Sequence, residues 1–230
     1  MAEFVIDPAA AVSLPVTGRD RHFPVAQIYC VGRNYADHAI EMGHNPDREA
    51  PFFFMNPGYA LLSGGGSLRY PSMTQDLHHE VELVIALASG GEDIKVKEAQ
   101  NLIYGFAVGI DLTRRDLQAQ AKKLRRPWDA GKTFLHAAPC SELTPGSSMK
   151  PIHQAGISLR VNGEIRQSGN LDQMIWKVPE IIARLSECFP LRGGDLIFTG
   201  TPAGVGPVQV GDELHAEIDG IGSLRVSVEK

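Results

Sequence analysis

Residues 77–87 read L-H-H-E-V-E-L-V-I-A-L. Strand side chains point alternately to opposite faces, so Glu80 and Glu82 share one face while Val81, Leu83, Ile85 and Leu87 share the other. After Glu82 both faces are apolar, the pattern of a strand buried on both sides. Two carboxylates entering such a region repel each other and lose hydration unless a cation compensates them. A hard divalent cation does this through carboxylate oxygens. The same letters also fit a strand that starts at the surface with both glutamates in water.

Other strand-like runs lie on either side, mostly bounded by Gly, Pro or Asp. They occupy 27–31, 51–55, 103–110, 157–161, 195–199, 213–218 and 223–228, with the central run spanning 80–88. Three helices are expected. Residues 34–42 have Asn34 placed as N-cap and Gly43 just past the end. Residues 113–123 open with T-R-R-D, a capping-box-like start, and 178–187 carry Pro179 in the first turn. Many strands with few helices predict a β-rich α+β fold. The 24 Gly and 15 Pro are dispersed, and neither a linker nor an internal repeat is visible, so one domain is expected.

Composition narrows the function classes. The 230 residues carry 22 Lys and Arg against 27 Asp and Glu, a net charge of −5, which argues against general attraction to nucleic acid or anionic membrane. Cys30, Cys140 and Cys188 are widely spaced and odd in number, which suits a reducing compartment. The start M-A-E-F-V-I-D-P has acids where a signal peptide carries positive charge, and the longest apolar segment, 81–88, is too short to span a bilayer. The expected location is cytoplasmic.

Further candidates follow from local context. Asp111 ends the apolar run I-Y-G-F-A-V-G-I, a position that suits a ligand but, taken by itself, better suits the start of a helix. His38 and Glu41 are three apart and so neighbours on one helical face. A carboxylate there orients an imidazole that takes a proton from water, although a solvated surface pair has the same spacing. Lys132, in W-D-A-G-K-T-F, is either a cation for a developing oxyanion or enolate or a solvated charge. The stretch G-D-L-I-F-T-G-T-P-A-G-V-G-P at 194–207 is a strand entering a glycine-rich turn. Its amides, with the Thr199 and Thr201 hydroxyls, would hold a carboxylate or simply form a turn, and it lacks either nucleotide-loop pattern. Arg114, Arg115, Lys122, Lys123, Arg125 and Arg126 lie on or just after one helix. A solvated face accounts for most of them, leaving one or two to turn inward toward an anionic substrate.

Taken in order, these segments resemble the fumarylacetoacetate hydrolase family, most of all its acylpyruvase and fumarylpyruvate hydrolase members. The resemblance rests on C-V-G-R-N-Y-A-D-H-A-I-E-M (30–42), L-H-H-E-V-E-L (77–83), G-I-D-L-T-R-R-D-L-Q (109–118), G-K-T-F (131–134) and G-D-L-I-F-T-G-T-P-A-G-V-G (194–206). It implies a mixed β-sandwich roll with few helices, with a catalytic domain over 26–230 and residues 1–25 as an extension of the same domain. It further implies Glu80, Glu82 and Asp111 as ligands of one divalent cation, Mg²⁺ or Mn²⁺, with His38 and Glu41 as a water-activating dyad and Lys132 as a nearby cation. Arg115, Gln118 and Thr201 are implied as substrate contacts, and a homodimer as the usual assembly. The activity implied is hydrolysis of a C–C bond in an acylpyruvate, with fumarylpyruvate giving fumarate and pyruvate in aromatic catabolism. M-I-W-K-V-P-E-I-I-A at 174–183 adds to the likeness. Oxaloacetate decarboxylation, isomerisation of an unsaturated oxo-diacid, and binding of a metal or oxo-acid without turnover are the alternatives. The presence of His38, Glu41 and Lys132 beside the carboxylates argues against the last, because binding alone needs no base.

Overall fold

The computed structural model describes residues 4–41, 49–148 and 152–230. The run at 77–87 becomes two strands, Leu77–His79 and Val81–Leu87, with Glu80 at the break. All seven residues of Val81–Leu87 are buried, so the strand is covered on both faces and the solvated alternative falls away. It is central to an eight-stranded mixed sheet, between Leu196–Phe198 and Ile103–Ile110. Beyond Leu196–Phe198 lie Ile28–Gly32 and then Phe52–Asn56. Beyond Ile103–Ile110 lie Ala138–Cys140 and Leu61–Ser63, with Thr144–Pro145 paired to the same strand.

A second, five-stranded sheet runs Glu164–Asn170, Gly156–Val161, Glu213–Ile218, Gly222–Glu229 and Gly66–Arg69. Its members alternate: Leu214, Ala216 and Ile218 are buried while Glu213 and Glu217 are exposed. That one-sided pattern lets the sheet pack its apolar face against Val81–Leu87 and Ile103–Ile110. The N-terminal hairpin, Ser13–Val16 with Arg19–Pro24, adds Leu14 and Phe23 to the same core cluster. The molecule is strand-rich and mixed, as the β-rich α+β expectation has it. Among the described residues no helix is long and apolar enough to cross a membrane.

The expected strands appear within a residue or two of their predicted ends. Strands at Glu164–Asn170 and Leu77–His79, and both strands of the N-terminal hairpin, were not anticipated, because they are polar or short and show no clean alternation. Two helix starts need correction. The first helix is Ala36–Glu41, with Met42 and Gly43 outside the described residues, and Asn34 does not cap it. The Asn34 amide is buried instead, donating to the Trp176 and Thr199 carbonyls and accepting from the Trp176 amide. A fully buried amide satisfies its donors and acceptor wherever partners exist, and here they are remote in sequence. The basic helix is Arg115–Leu124, because Thr113–Arg114 pairs as a short strand with Leu77–His79. Asp116, in its first turn, accepts from the Thr74 hydroxyl and the Gln75 amide. Val178–Cys188 begins with proline in its first turn as expected.

Candidate active site

The strand pairing that joins Val81 to Ile110 and Glu82 to Gly109 brings residues distant in sequence side by side. The Asp111 amide closes the end of that ladder by donating to the Glu80 carbonyl at 2.8 Å. One carboxylate oxygen from each of Glu80, Glu82 and Asp111 falls within 4.8 Å of the others, and all three residues are buried. The sequence places two of these acids on one strand face; only the sheet register brings in the third.

Two cations reach the cluster from the next layer. Lys132 Nζ donates to Glu80 Oε2 at 2.7 Å and to Asp111 Oδ2 at 2.8 Å. Its position depends on Gly131, where an added Cβ would meet Gln118 backbone and side-chain atoms at 3.0 Å, so the short helix Asp129–Lys132 can lie directly against Arg115–Leu124. Arg115 donates to Glu80 Oε1 at 2.5 Å and to Gln118 Oε1 at 2.8 Å. Burial alone would raise Glu80, but Lys132 and Arg115 outweigh it and hold this carboxyl well below the usual carboxylate range. Burial, together with Asp111 and Glu80, pushes Glu82 well up. Asp111 is pushed up to about 6, since burial and the neighbouring Glu80 outweigh Lys132.

Lys132 and Arg115 supply two positive charges against three acids, so keeping all three ionised in this buried space needs a further cation. Asp111 Oδ1 is buried and has no hydrogen-bond partner among the described residues. An uncompensated buried acid oxygen is costly, and a divalent cation would satisfy it. The donors are all hard oxygens, a set that suits Mg²⁺, Mn²⁺ or Ca²⁺ rather than a thiophilic metal. The residues therefore fit a hard divalent ion.

His38 lines the same cleft. Its Nδ1 is 3.3 Å from Glu41 Oε2, and since an ionised carboxylate only accepts, Nδ1 carries the hydrogen and Nε2 keeps its lone pair. Burial lowers the His38 pKa further than Glu80 and Glu41 raise it, which favours the neutral ring. Glu41 is itself held by the Gly204 amide at 3.1 and 3.2 Å.

The glycine-rich turn thus holds carboxylates, but they belong to the protein. The Gly200 amide donates to Glu82 Oε2 at 2.7 Å and the Gly204 amide to Glu41. Thr199 does not face the cleft: its hydroxyl donates to the Leu83 carbonyl, which corrects the sequence expectation for that residue. Thr201 does line the cleft, and its hydroxyl accepts from Gln167 Nε2 at 2.8 Å. Gln167 also accepts from the Val81 amide and contacts His79 Nδ1 at 2.9 Å, fixing this corner from the second sheet. Gln167 was missed from sequence, because it lies on an unanticipated strand and carries no motif. Of the six basic residues on or just beside the helix Arg115–Leu124, Arg115 and Lys122 line the cleft. Arg114 stacks over Phe134 at 4.5 Å and donates to the Ala130 carbonyl, while Lys123, Arg125 and Arg126 are exposed. Arg33 also lines the cleft and was not singled out, although it lies inside the G-R-N-Y motif.

His38, Glu80, Glu82, Asp111, Arg115 and Lys132 all line this one cleft. A model of the family described as Fumarylacetoacetate (FAA) hydrolase C-terminal matches residues 27–229. The chain belongs to the fumarylacetoacetate hydrolase family. The crystal structure of fumarylpyruvate hydrolase from Pseudomonas aeruginosa in complex with Mn²⁺ and pyruvate superposes with a TM-score of 0.96 at 47% identity, covering 99% of each chain. A fumarylpyruvate hydrolase of Ralstonia sp is 42% identical over 189 residues, 81% of this chain and 98% of the relative. A mitochondrial oxaloacetate tautomerase of Mus musculus is 41% identical over 203 residues, 88% of this chain and 91% of the relative.

Proposed function

We propose that this member of the family is a divalent-metal-dependent hydrolase of acylpyruvates, with fumarylpyruvate as its best substrate and fumarate and pyruvate as products. The observation that carries the reading is a buried His38, oriented by Glu41, in the same cleft as three carboxylates and Lys132. The likeness to the two fumarylpyruvate hydrolases supports the choice of substrate.

Glu80, Glu82 and Asp111 would hold the cation, Mg²⁺ or Mn²⁺, which when bound supplies Lewis acidity toward the oxo-acid end of the substrate. Arg115, Gln118 and Thr201 position that end of the substrate. His38 Nε2 takes a proton from water as its oxygen attacks the second carbonyl carbon. The C–C bond then breaks, its electron pair passing to the pyruvate enolate, which takes up a proton to give pyruvate. Two of the three N–H bonds of Lys132 are committed to Glu80 and Asp111, and the third is available to a developing negative charge.

A second reading is oxaloacetate tautomerisation, favoured by the 41% identical mouse relative. It needs a proton shuttle but no attacking water, so His38 would serve either chemistry. Measuring kcat/KM for fumarylpyruvate, acetylpyruvate and oxaloacetate with added Mn²⁺, together with keto–enol exchange of oxaloacetate, separates the two. Fumarylpyruvate is expected to rank first with stoichiometric pyruvate release. Exchange of oxaloacetate without hydrolysis of either acylpyruvate would reject the hydrolase reading.

A further inference from the structure

Four basic side chains line the cleft, and they fall into two pairs. Lys132 and Arg115 are bound to Glu80 and Asp111. No carboxylate pairs with Arg33 or Lys122 among the described residues. Both lie against aromatic rings: the Arg33 guanidinium is 5.3 Å from the Phe52 centroid and Lys122 Nζ 4.9 Å from the Trp128 centroid. The two rings meet edge to face at 5.2 Å, so the cations flank one aromatic wall.

The backbone builds this wall. Gly32 has no side chain where an added Cβ would fall within 2.0–2.6 Å of the Phe52 ring, so the ring packs flush against the strand end. Arg33 follows in the left-handed region at φ 56°, a conformation that is strained for a non-glycine residue and persists where surroundings enforce it. On the facing helix, Arg115, Gln118 and Lys122 stand at i, i+3 and i+7 and share one face. Arg115 and Gln118 are at the carboxylate end, and Lys122 is two turns further along, a separation of about 10 Å at 1.5 Å per residue. Burial lowers the Lys122 pKa, aided by Arg115 and Arg33, to about 8, so an anion between these cations would be favoured.

Resting on the reading of the cleft as an oxo-acid site, we propose that Arg33 and Lys122 form a distal subsite for the second carboxylate of a diacid substrate, while the Glu80, Glu82 and Asp111 end takes the oxo-acid. Arg115 is thereby assigned to the near end, where Glu80 holds it, and the charge at the far end of a fumaroyl chain meets Arg33 and Lys122. A four-carbon diacid falls short of them, and an uncharged acyl tail leaves them unpaired.

The test compares two probes of equal chain length, 2-oxoadipate and 2-oxohexanoate, which differ only in the distal carboxylate. Binding to the Mn²⁺-loaded protein is measured by calorimetry for wild type, Arg33→Met and Lys122→Gln, with a thermal melt confirming that each variant is folded. Wild type is expected to bind 2-oxoadipate at least about tenfold more tightly, each variant reducing the ratio several-fold and the double variant bringing it near one, with 2-oxohexanoate affinity unchanged. Equal binding of the two probes by wild type, or an undiminished ratio in the double variant, would overturn the subsite. Because the readout is binding, it holds whether or not fumarylpyruvate is hydrolysed. Failure of both probes to bind would instead overturn the oxo-acid reading, and the subsite with it.

Discussion

The Gly200 amide donates to Glu82 Oε2 at 2.7 Å, joining the glycine-rich turn to an acid 118 positions earlier in the chain. Gly200 has φ +95°, and an added Cβ would stand 2.7 Å from Asn34 Cβ. Conformation and close packing therefore both require glycine here, and the amide orients one carboxylate of the cluster.

Glu82→Gln removes a charged oxygen donor, and metal affinity and activity are expected to fall by more than about 100-fold. Gly200→Ala keeps the acid but disturbs its support, so a smaller loss of roughly 10–100-fold is expected. Titration with Mn²⁺ reads both, and an unchanged Glu82→Gln isotherm would remove Glu82 from the site.

His38→Ala is expected to lower kcat for acylpyruvate hydrolysis by about 10²–10⁴-fold while Mn²⁺ and pyruvate binding stay within a few-fold of wild type. Glu41→Gln should act in the same direction with a smaller loss, since the ring keeps its base but loses a charged partner. Steady-state kinetics with parallel calorimetry separates the two effects. Near-normal turnover in His38→Ala would contradict the base assignment.

A proton and a metal ion compete for the same carboxylate oxygen. Burial, with Glu80 nearby, pushes Asp111 up to about 6 against the pull of Lys132, and Glu82 is raised by burial with Asp111 and Glu80. The cluster therefore gains protons as pH falls through 6, and Mn²⁺ affinity should fall with it, approaching about tenfold per pH unit for each proton displaced. Titrations at pH 7.5, 6.5 and 5.5 check the slope. Constant affinity across that range would contradict the assigned ligands.

Lys132→Met leaves Glu80 and Asp111 buried without their shared cation. Breaking a buried pair from one side costs about 3–5 kcal/mol, so the metal-free variant should melt well below wild type. Saturating Mn²⁺ should recover part of that loss, because a second source of positive charge enters the same space. A variant melting at the wild-type temperature without metal would show that Lys132 does not compensate these acids.

Sequence alone determined what depends on local period and on neighbours along the chain. The central strand was legible because alternation followed by an all-apolar run has few other solutions, and with it the shared face of Glu80 and Glu82. His38 and Glu41 were legible as a pair because helix geometry places residues three apart together. The motif order carried the family. Long-range placement was decided only by the fold: sheet register set Asp111 opposite Glu80, and Gly131 let Lys132 reach both. The same is true of polar groups whose partners are remote, since a buried amide or hydroxyl takes whatever partner the packed structure brings to it. Asn34 therefore bonds Trp176 and Thr199 instead of capping its helix, and Thr199 bonds Leu83. Of the six basic residues in one short stretch, which two face the cleft depended on how the helix Arg115–Leu124 docks, a rotation that composition cannot encode.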